Sequence, residues 1–160
     1  MKVGITGHQD LGSEETISWL IETLKRVIKQ YGIDHGLTSL AVGADQLYAE
    51  ILRKKHIRYD VIIPSEGYEK TFSHNYQLEK YIDLLQDASE TIKLPFDRPT
   101  ETAFYEAGKQ VAIRSDMIIA IWNGKAAKGL GGTGDTVAYA QALKKPVVHL
   151  NPITRIVREI

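Results

Sequence analysis

Apolar residues along this chain fall into two kinds of segment, and the two kinds alternate from end to end. Short continuous apolar runs occupy residues 2–6, 37–42, 59–64, 91–95, 117–122 and 147–150. Each has the length and continuity of a strand covered on both faces. Between them lie longer segments in which apolar positions recur every three or four residues. The clearest begins after Ser13 and carries Ile17, Leu20, Ile21, Leu24, Val27 and Ile28 on one face. Ser13 suits the N-cap, Glu14 and Glu15 suit the first turn, and Gly32 suits the left-handed position that closes the helix. Further helices are expected over 45–55, 73–86, 100–114 and 137–143. The second turns Leu47, Ile51 and Leu52 inward; the third uses Tyr76, Tyr81, Leu84 and Leu85 as anchors. This alternation predicts an α/β fold: one three-layer domain over 1–160, with a mostly parallel sheet of about six strands and helices on both faces. No repeat, low-complexity tract or long linker divides it.

The connecting segments are unequal. Those leading into strands are lean: 32–36, 56–58, 87–90, 115–116 and 144–146. Those leaving strands carry most of the glycine and functional side chains: 7–10, 43–45, 65–68, 96–98 and 123–135. In a parallel sheet all five of the latter lie on one rim, outside the carboxyl ends of the strands, where open α/β sheets bind ligands.

The richest of these segments is Gly129-Leu130-Gly131-Gly132-Thr133-Gly134-Asp135-Thr136. An apolar strand precedes it and a helix follows. Glycines let a ligand approach the backbone, and the first N–H groups of a helix lack internal partners, so the arrangement suits an anion. It is not a nucleoside-triphosphate loop. Gly7 and Gly12 have the spacing of two such glycines, but Ser13 stands where the lysine belongs, and Gly129 to Gly134 leads into Asp135. Gly4-Ile5-Thr6-Gly7 lacks the full dinucleotide fingerprint.

Composition narrows the partners. Twenty basic residues balance twenty acidic ones, the apolar share is 43% and the charged share 25%. The absence of a basic excess predicts no nucleic-acid partner. Arg53-Lys54-Lys55 and Lys144-Lys145 each close a helix, where positive charge complements the helix terminus. There is no cysteine, so disulfides, thiolate nucleophiles and cysteine-ligated zinc are excluded. No apolar run approaches the ~20 residues of a membrane span, and the opening residues turn polar too soon for a signal peptide. A cytoplasmic protein without a membrane partner is expected.

Candidate site residues follow from their place on this rim. Thr6, Gly7 and His8 leave the first strand, and the His8 imidazole can contact a ligand or move a proton. Gly43, Ala44 and Asp45 follow the second strand. Asp45 reads equally as a helix N-cap, a ribose-hydroxyl acceptor or a catalytic carboxylate. Pro64, Glu66 and Tyr68 follow the third strand, and Tyr68 can stack on a base. Lys70 and Arg98 are candidate phosphate partners. Asn123 and Gly131, Gly132, Thr133, Gly134, Asp135 and Thr136 complete the ligand-binding set. Asp135 is expected to meet hydroxyls or cap its helix, since a carboxylate repels phosphate. Asp116 precedes a strand, at the opposite rim, and reads as structural. His35, His56, His74 and His149 form no ligand-spaced pair, so neither a metal nor another cofactor is expected.

The segments GITGHQDL, SLAVGADQLYAEIL, VIIPSEGYEKTF, SDMIIAIWNG and GGTGDTVAYAQALKKPVVHLNP together resemble the SLOG superfamily of Rossmann-like domains. That group includes lonely-guy phosphoribohydrolases, proteins misnamed lysine decarboxylases, and DNA-processing and molybdenum-cofactor-carrier relatives. It also includes sensors of nucleotide signals in bacterial defence. The resemblance implies a Rossmann-like fold, a nucleotide-like small-molecule ligand, and a homo-oligomer, dimer or larger. Two departures bear on activity. Leu130 stands where the lonely-guy loop has proline, and no glutamate follows within 136–138. The tail DTVAYAQALKKPV is also similar to nucleoside deoxyribosyltransferases, whose nucleophilic glutamate is replaced by Thr136, three residues before Tyr139-Ala140.

Two functions are therefore expected to compete. One is binding of a nucleoside phosphate, ADP-ribose or NAD-like ligand. The other is hydrolysis or transfer of an N-glycoside by a carboxylate near the anomeric carbon, for which Asp45, Glu66 and Asp135 are the catalytic candidates and Glu106 a weaker one. A third possibility is an interaction protein. Ile153, Ile156, Val157 and Ile160 at the end of the chain are free to dock on a partner or on the domain itself.

Overall fold

The computed structural model describes residues 1–126 and 129–160. Its sheet has seven strands in the order β4-β3-β2-β1-β5-β6-β7. These are β1 (Lys2–Gly7), β2 (His35–Thr38), β3 (Arg58–Ile63), β4 (Glu90–Lys93), β5 (Met117–Ile121), β6 (Val147–Leu150) and β7 (Val157–Glu159). The first six run parallel, and β7 is antiparallel to β6. The order reverses at β1, whose neighbours are β2 and β5, and such a switch point opens a crevice at the carboxyl rim.

Among the described residues five α-helices cover the sheet: α1 (Glu14–Gln30), α2 (Ala44–Lys54), α3 (Asn75–Gln86), α4 (Glu101–Arg114) and α5 (Thr133–Ala142). Alternate residues of each central strand serve opposite faces. Val3, Ile5, Val61 and Ile119 pack with Leu20 and Leu24 of α1, Tyr48 and Leu52 of α2, and Leu84 of α3. Leu37, Ile62, Ile118 and Ala120 pack instead with Ala107 and Val111 of α4 and Val137 and Ala140 of α5. Burial on both faces explains why the strands read as unbroken apolar runs. Ser13 caps α1 as its position suggests, its hydroxyl accepting from the Thr16 N–H at 3.2 Å.

Four expectations need correction. The second strand stops at Thr38 rather than 42, because Leu40 is fully buried in a loop, at φ 56°, instead of continuing the sheet. The third helix starts at Asn75, and residues 68–71 form a separate 3-10 turn. The last helix starts at Thr133, four residues earlier than expected, so the end of the glycine segment is its first turn. A seventh strand closes the far edge. β7 docks the end of the chain on the domain's own sheet, and Tyr31 of the neighbouring C-cap donates its hydroxyl to Glu159.

Asp116 is structural, as its rim implies. Its amide donates to the Lys2 carbonyl and its carboxylate accepts from the Lys2 amide, both at 2.8 Å. At the same amino-terminal rim the buried carboxylate of Asp60 takes Lys2 Nζ at 3.0 Å and His35 Nε2 at 2.8 Å. Among the described residues no helix is long and apolar enough to cross a membrane.

Candidate ligand cleft at the carboxyl rim

A cleft of about 820 Å³ opens at the carboxyl ends of the strands. The loops leaving β1, β2, β3, β4 and β5 all reach it, through residues such as His8, Ser39, Pro64, Pro99 and Asn123. Its size lies in the range of small-molecule sites. Of the residues expected at the site, Thr6, Gly7, His8, Asp45, Pro64, Tyr68 and Asn123 line it, as do Gly131, Gly132, Thr133, Gly134 and Thr136. Residues 127 and 128 of the expected 123–135 loop lie outside the described residues.

The start of α5 forms one end of the cleft. Gly132 is its N-cap and supplies no side chain to cap it. The amides of Asp135 and Thr136 both turn to the Gly132 carbonyl, at 3.1 and 3.2 Å. The Thr133 and Gly134 amides have no partner among the described residues, so two free donors belong to residues that line the cleft at the positive end of the helix. Asp135 does not share this role. Its carboxylate accepts from the Gly131 amide at 2.9 Å, is not among the groups lining the cleft, and makes no capping bond to the helix among the described residues. Gly131 has its own steric demand: at φ 87° a Cβ would sit 2.9 Å from the Tyr105 backbone nitrogen in α4. Part of the glycine richness therefore serves the packing of loop against helix.

Asp45 forms the floor. It lies inside the first turn of α2, whose N-cap is Gly43, so its carboxylate is free to reach back rather than cap. Oδ2 accepts from the Ser39 amide at 2.9 Å and from the Thr38 hydroxyl at 3.1 Å. Burial raises its pKa to about 6, against the opposing effect of Ser39, Thr38 and Ala41, which favour the charged form. The loop beneath it is braced: Gln46 donates to the Leu40 carbonyl and the Tyr68 hydroxyl to the Ser39 carbonyl. Gly43 and Ala44 do not line the cleft; they bring α2 against the first loop, where the Ala44 amide donates to the His8 carbonyl at 3.1 Å.

His8 and Asn123 join the two sides of the switch point. The Asn123 amide donates to His8 Nε2 at 2.9 Å, which fixes the neutral ring with its proton on Nδ1. Burial lowers the His8 pKa, while the Asp10 charge works the other way.

Tyr68 is not an open stacking platform. It is 4% exposed, with burial raising its pKa, and its ring meets Phe72, Tyr81 and Phe104 edge-on. Phe72 and Phe104, only half-buried, present the aromatic surface to the cleft beside Pro99. Neither was expected at the site: Phe72 stands in a loop with no distinguishing pattern, and Phe104 reads as a helix core position. Lys125, which belongs to the 123–135 rim loop but is not among the candidates named from it, also lines the cleft. Glu66 stands outside, exposed and paired with Lys93 Nζ at 3.2 Å. Lys70, Arg98 and Glu106 do not line the cleft either; Glu106 pairs with Lys109 along α4.

No family model and no curated protein matches the chain. Solved structures do. The single-stranded-DNA-binding DNA processing protein A of Helicobacter pylori superposes with a TM-score of 0.67 at 20% identity, over 94% of this chain and 65% of that one. DNA processing protein A of Streptococcus pneumoniae gives 0.65 at 12% identity, over 94% of this chain and 50% of the other. The molybdenum cofactor binding protein of Rippkaea orientalis gives 0.59 at 20% identity, over 94% and 76%. This chain thus spans between half and two thirds of the DNA processing proteins. At these identities the likeness establishes a shared fold, one used elsewhere to bind ligands. It also corrects the expectation that nucleic acid is excluded. The Helicobacter protein, which contains this fold, binds single-stranded DNA, and a balanced net charge reports the whole surface rather than any one groove.

Proposed function

We propose that the cleft binds a nucleotide or nucleotide-derived ligand, with its phosphate at the Thr133 and Gly134 amides. The observation that carries this reading is the meeting, in one cleft of about 820 Å³, of unpartnered helix amides, an acceptor carboxylate and an aromatic patch. Those three surfaces match the phosphate, sugar and base of one molecule. Lys125 at the rim adds a positive charge for the anion. The sequence resemblance to the SLOG superfamily, and structural neighbours that bind single-stranded DNA and molybdenum cofactor, support the same class of ligand.

The test is a thermal-shift and calorimetric screen against nucleoside monophosphates, ADP-ribose, NAD and short single-stranded oligonucleotides. A ligand at 100 times its Kd adds about 2.7 kcal/mol of stability. Stabilisation by a member of the panel, lost when Gly134→Pro removes one of the two amides, is the expected result. No stabilisation by any member rejects the reading.

N-glycoside hydrolysis or transfer is the second reading, and Asp45 favours it. Of the three catalytic candidates, only this carboxylate lines the cleft, and its raised pKa of about 6 suits proton transfer near neutral pH. Release of free base from the same nucleotide panel, abolished in Asp45→Ala, would support it. Intact substrates after prolonged incubation would reject it for those compounds.

A further inference from the structure

The hydroxyl protons at the aromatic end of the cleft are already committed to the protein. The wall there is made by Pro64, Tyr68, Thr71 and Phe72, which follow β3, and by Pro99 and Phe104, which follow β4. The Thr71 hydroxyl donates to the Tyr68 carbonyl at 2.7 Å, and the Tyr68 hydroxyl donates to the Ser39 carbonyl at 3.0 Å. The lone pairs that Thr71 keeps are exposed to water, where accepting another hydrogen bond gains little. Pro64 and Pro99 have no N–H to offer.

Phe72 and Phe104 bring rings alone, and both rings are held from behind. Tyr68 meets them edge-on, with centroids 5.5 and 6.2 Å away. Tyr81 stacks on Phe72 at 4.7 Å. Two braced, half-buried rings thus give this end of the cleft its character.

Such a wall can hold a base without reading it. Adenine and guanine present opposite groups at position 6, an amino donor and a carbonyl acceptor. Telling them apart takes a fixed donor or acceptor opposite that edge, and an apolar wall rejects neither ring strongly. The Ser39 hydroxyl, beside this wall, both donates and accepts, so it suits either ring. The Asp45 carboxylate on the floor is engaged by the Thr38 hydroxyl and by the Ser39 and Ala41 amides. Gln9 and Asn123, whose side-chain amides could read an edge, follow β1 and β5, and β2 separates those strands from β3. Stacking needs no such match. Every base has a π-face, and a double ring offers more of it than a single one.

Resting on the nucleotide reading above, we propose that Phe72 and Phe104 take a purine base by its face, and that no side chain reads its 2- or 6-substituent. The cleft then accepts adenine, guanine and hypoxanthine nucleotides alike and prefers them to pyrimidine nucleotides. Ring size, rather than the pattern of donors and acceptors, sets the choice of base.

Calorimetric titration of the full chain tests this with AMP, GMP, IMP, the 5′-monophosphate of unsubstituted purine riboside, CMP, UMP and ribose 5-phosphate. The four purine ligands are expected to bind within about threefold of one another, as an apolar wall allows. CMP and UMP are expected to bind at least about fivefold more weakly, in line with their smaller stacking surface. Phe72→Leu and Phe104→Leu keep an apolar side chain of similar reach but remove the ring. Each is expected to narrow the gap between purines and pyrimidines while leaving the affinity for ribose 5-phosphate unchanged, which a general loosening of the cleft would not do. A gap of tenfold or more among the purine ligands, pyrimidines that bind as well as purines, or variants that weaken ribose 5-phosphate as much as AMP each overturn the proposal and leave the nucleotide reading standing. Binding of none of the nucleotides by wild type overturns both.

Discussion

His8 and Asn123 tie the first strand to the fifth across the point where the strand order reverses: the Asn123 amide donates to His8 Nε2 at 2.9 Å. Neither residue is near the other in sequence, and both face the cleft. The bond exists only while Nε2 carries a lone pair, so the neutral imidazole is the form that fits the fold. His8→Ala leaves a half-buried amide without its acceptor and is expected to cost about 1–2 kcal/mol. The pH dependence follows from the lowered pKa. The unfolded chain binds a proton to His8 near pH 6.5, and the folded chain binds it only at lower pH. The contribution of His8 is thus complete above about pH 6.5 and is lost as pH falls toward the folded pKa. Urea titrations should show the stability gap between wild type and His8→Ala narrowing below that pH. A gap independent of pH would mean the imidazole is not held by this bond.

Gly43 is the least replaceable glycine of the cleft's support. Its φ is 89°, and a Cβ there would stand 2.4 Å from the His8 carbonyl oxygen and 2.4 Å from that of Gln9. Both obstacles are backbone, so neither can rotate aside. Gly32, which closes α1, has a positive φ of 60° but nothing within 4 Å of such a Cβ. Gly32→Ala should cost about 1–2 kcal/mol, the strain of a left-handed alanine alone. Gly43→Ala should cost well over that, about 3 kcal/mol or more, because α2 must retreat from the first loop. Comparable midpoints for the two variants in chemical denaturation would contradict the close approach.

The contrast between Gly43 and Leu40 also marks how far the sequence could be read. Regular strands were legible because Val61 and Ile62, or Ile118 and Ile119, feed opposite cores and leave no polar gap. The clustering of functional loops at one rim was legible for the same reason, since a parallel sheet gives every strand-to-helix loop one destination. Leu40 misled because its burial comes from a loop braced by Gln46 and Asp45, and periodicity cannot separate a buried loop from a strand. Val157-Arg158-Glu159 has no apolar run, and only the open edge of β6 makes it a strand. At the site, Asp135 and Glu66 looked like equals of Asp45. What separates them is where each carboxylate finds its partner: the Gly131 amide, Lys93, and the braced 38–39 turn. Those pairings depend on distances that spacing along a chain does not encode.

Asp45 should destabilise the fold at neutral pH and cease to do so in acid. Its folded pKa, about 6, lies above the 3.8 of the exposed group. The folded chain therefore takes up its proton first, and the penalty for burying the charge is in place above about pH 6. A rise of that size corresponds to about 3 kcal/mol at most. Asp45→Asn should be more stable than wild type at pH 7, and its advantage should shrink as pH falls from about 6 toward 4. Guanidinium unfolding at a series of pH values reads this directly. An advantage that stays constant, or grows in acid, would show that the carboxylate is not desolvated.

The end of the chain should matter to solubility as much as to stability. β7 covers the outer edge of β6, with the amides of Val147 and Ile160 each donating to the other's carbonyl across the pair, at 3.4 and 2.9 Å, and the Asn151 amide donating to the Ile156 carbonyl. The strand it covers is fully buried over Val147–Leu150. Removing residues 154–160 would uncover an apolar edge with unpaired donors and acceptors, the form of edge that recruits strands from other molecules. It would also free Tyr31 from Glu159. The truncated chain should melt several degrees lower, since each kcal/mol lost from a domain of this size moves Tm by about 2–4 °C. It should also sediment as larger species as concentration rises. A truncated chain with an unchanged melting temperature and an unchanged mass in solution would mean that β6 does not need this cover, and that Val157–Glu159 is an appendage of the sheet.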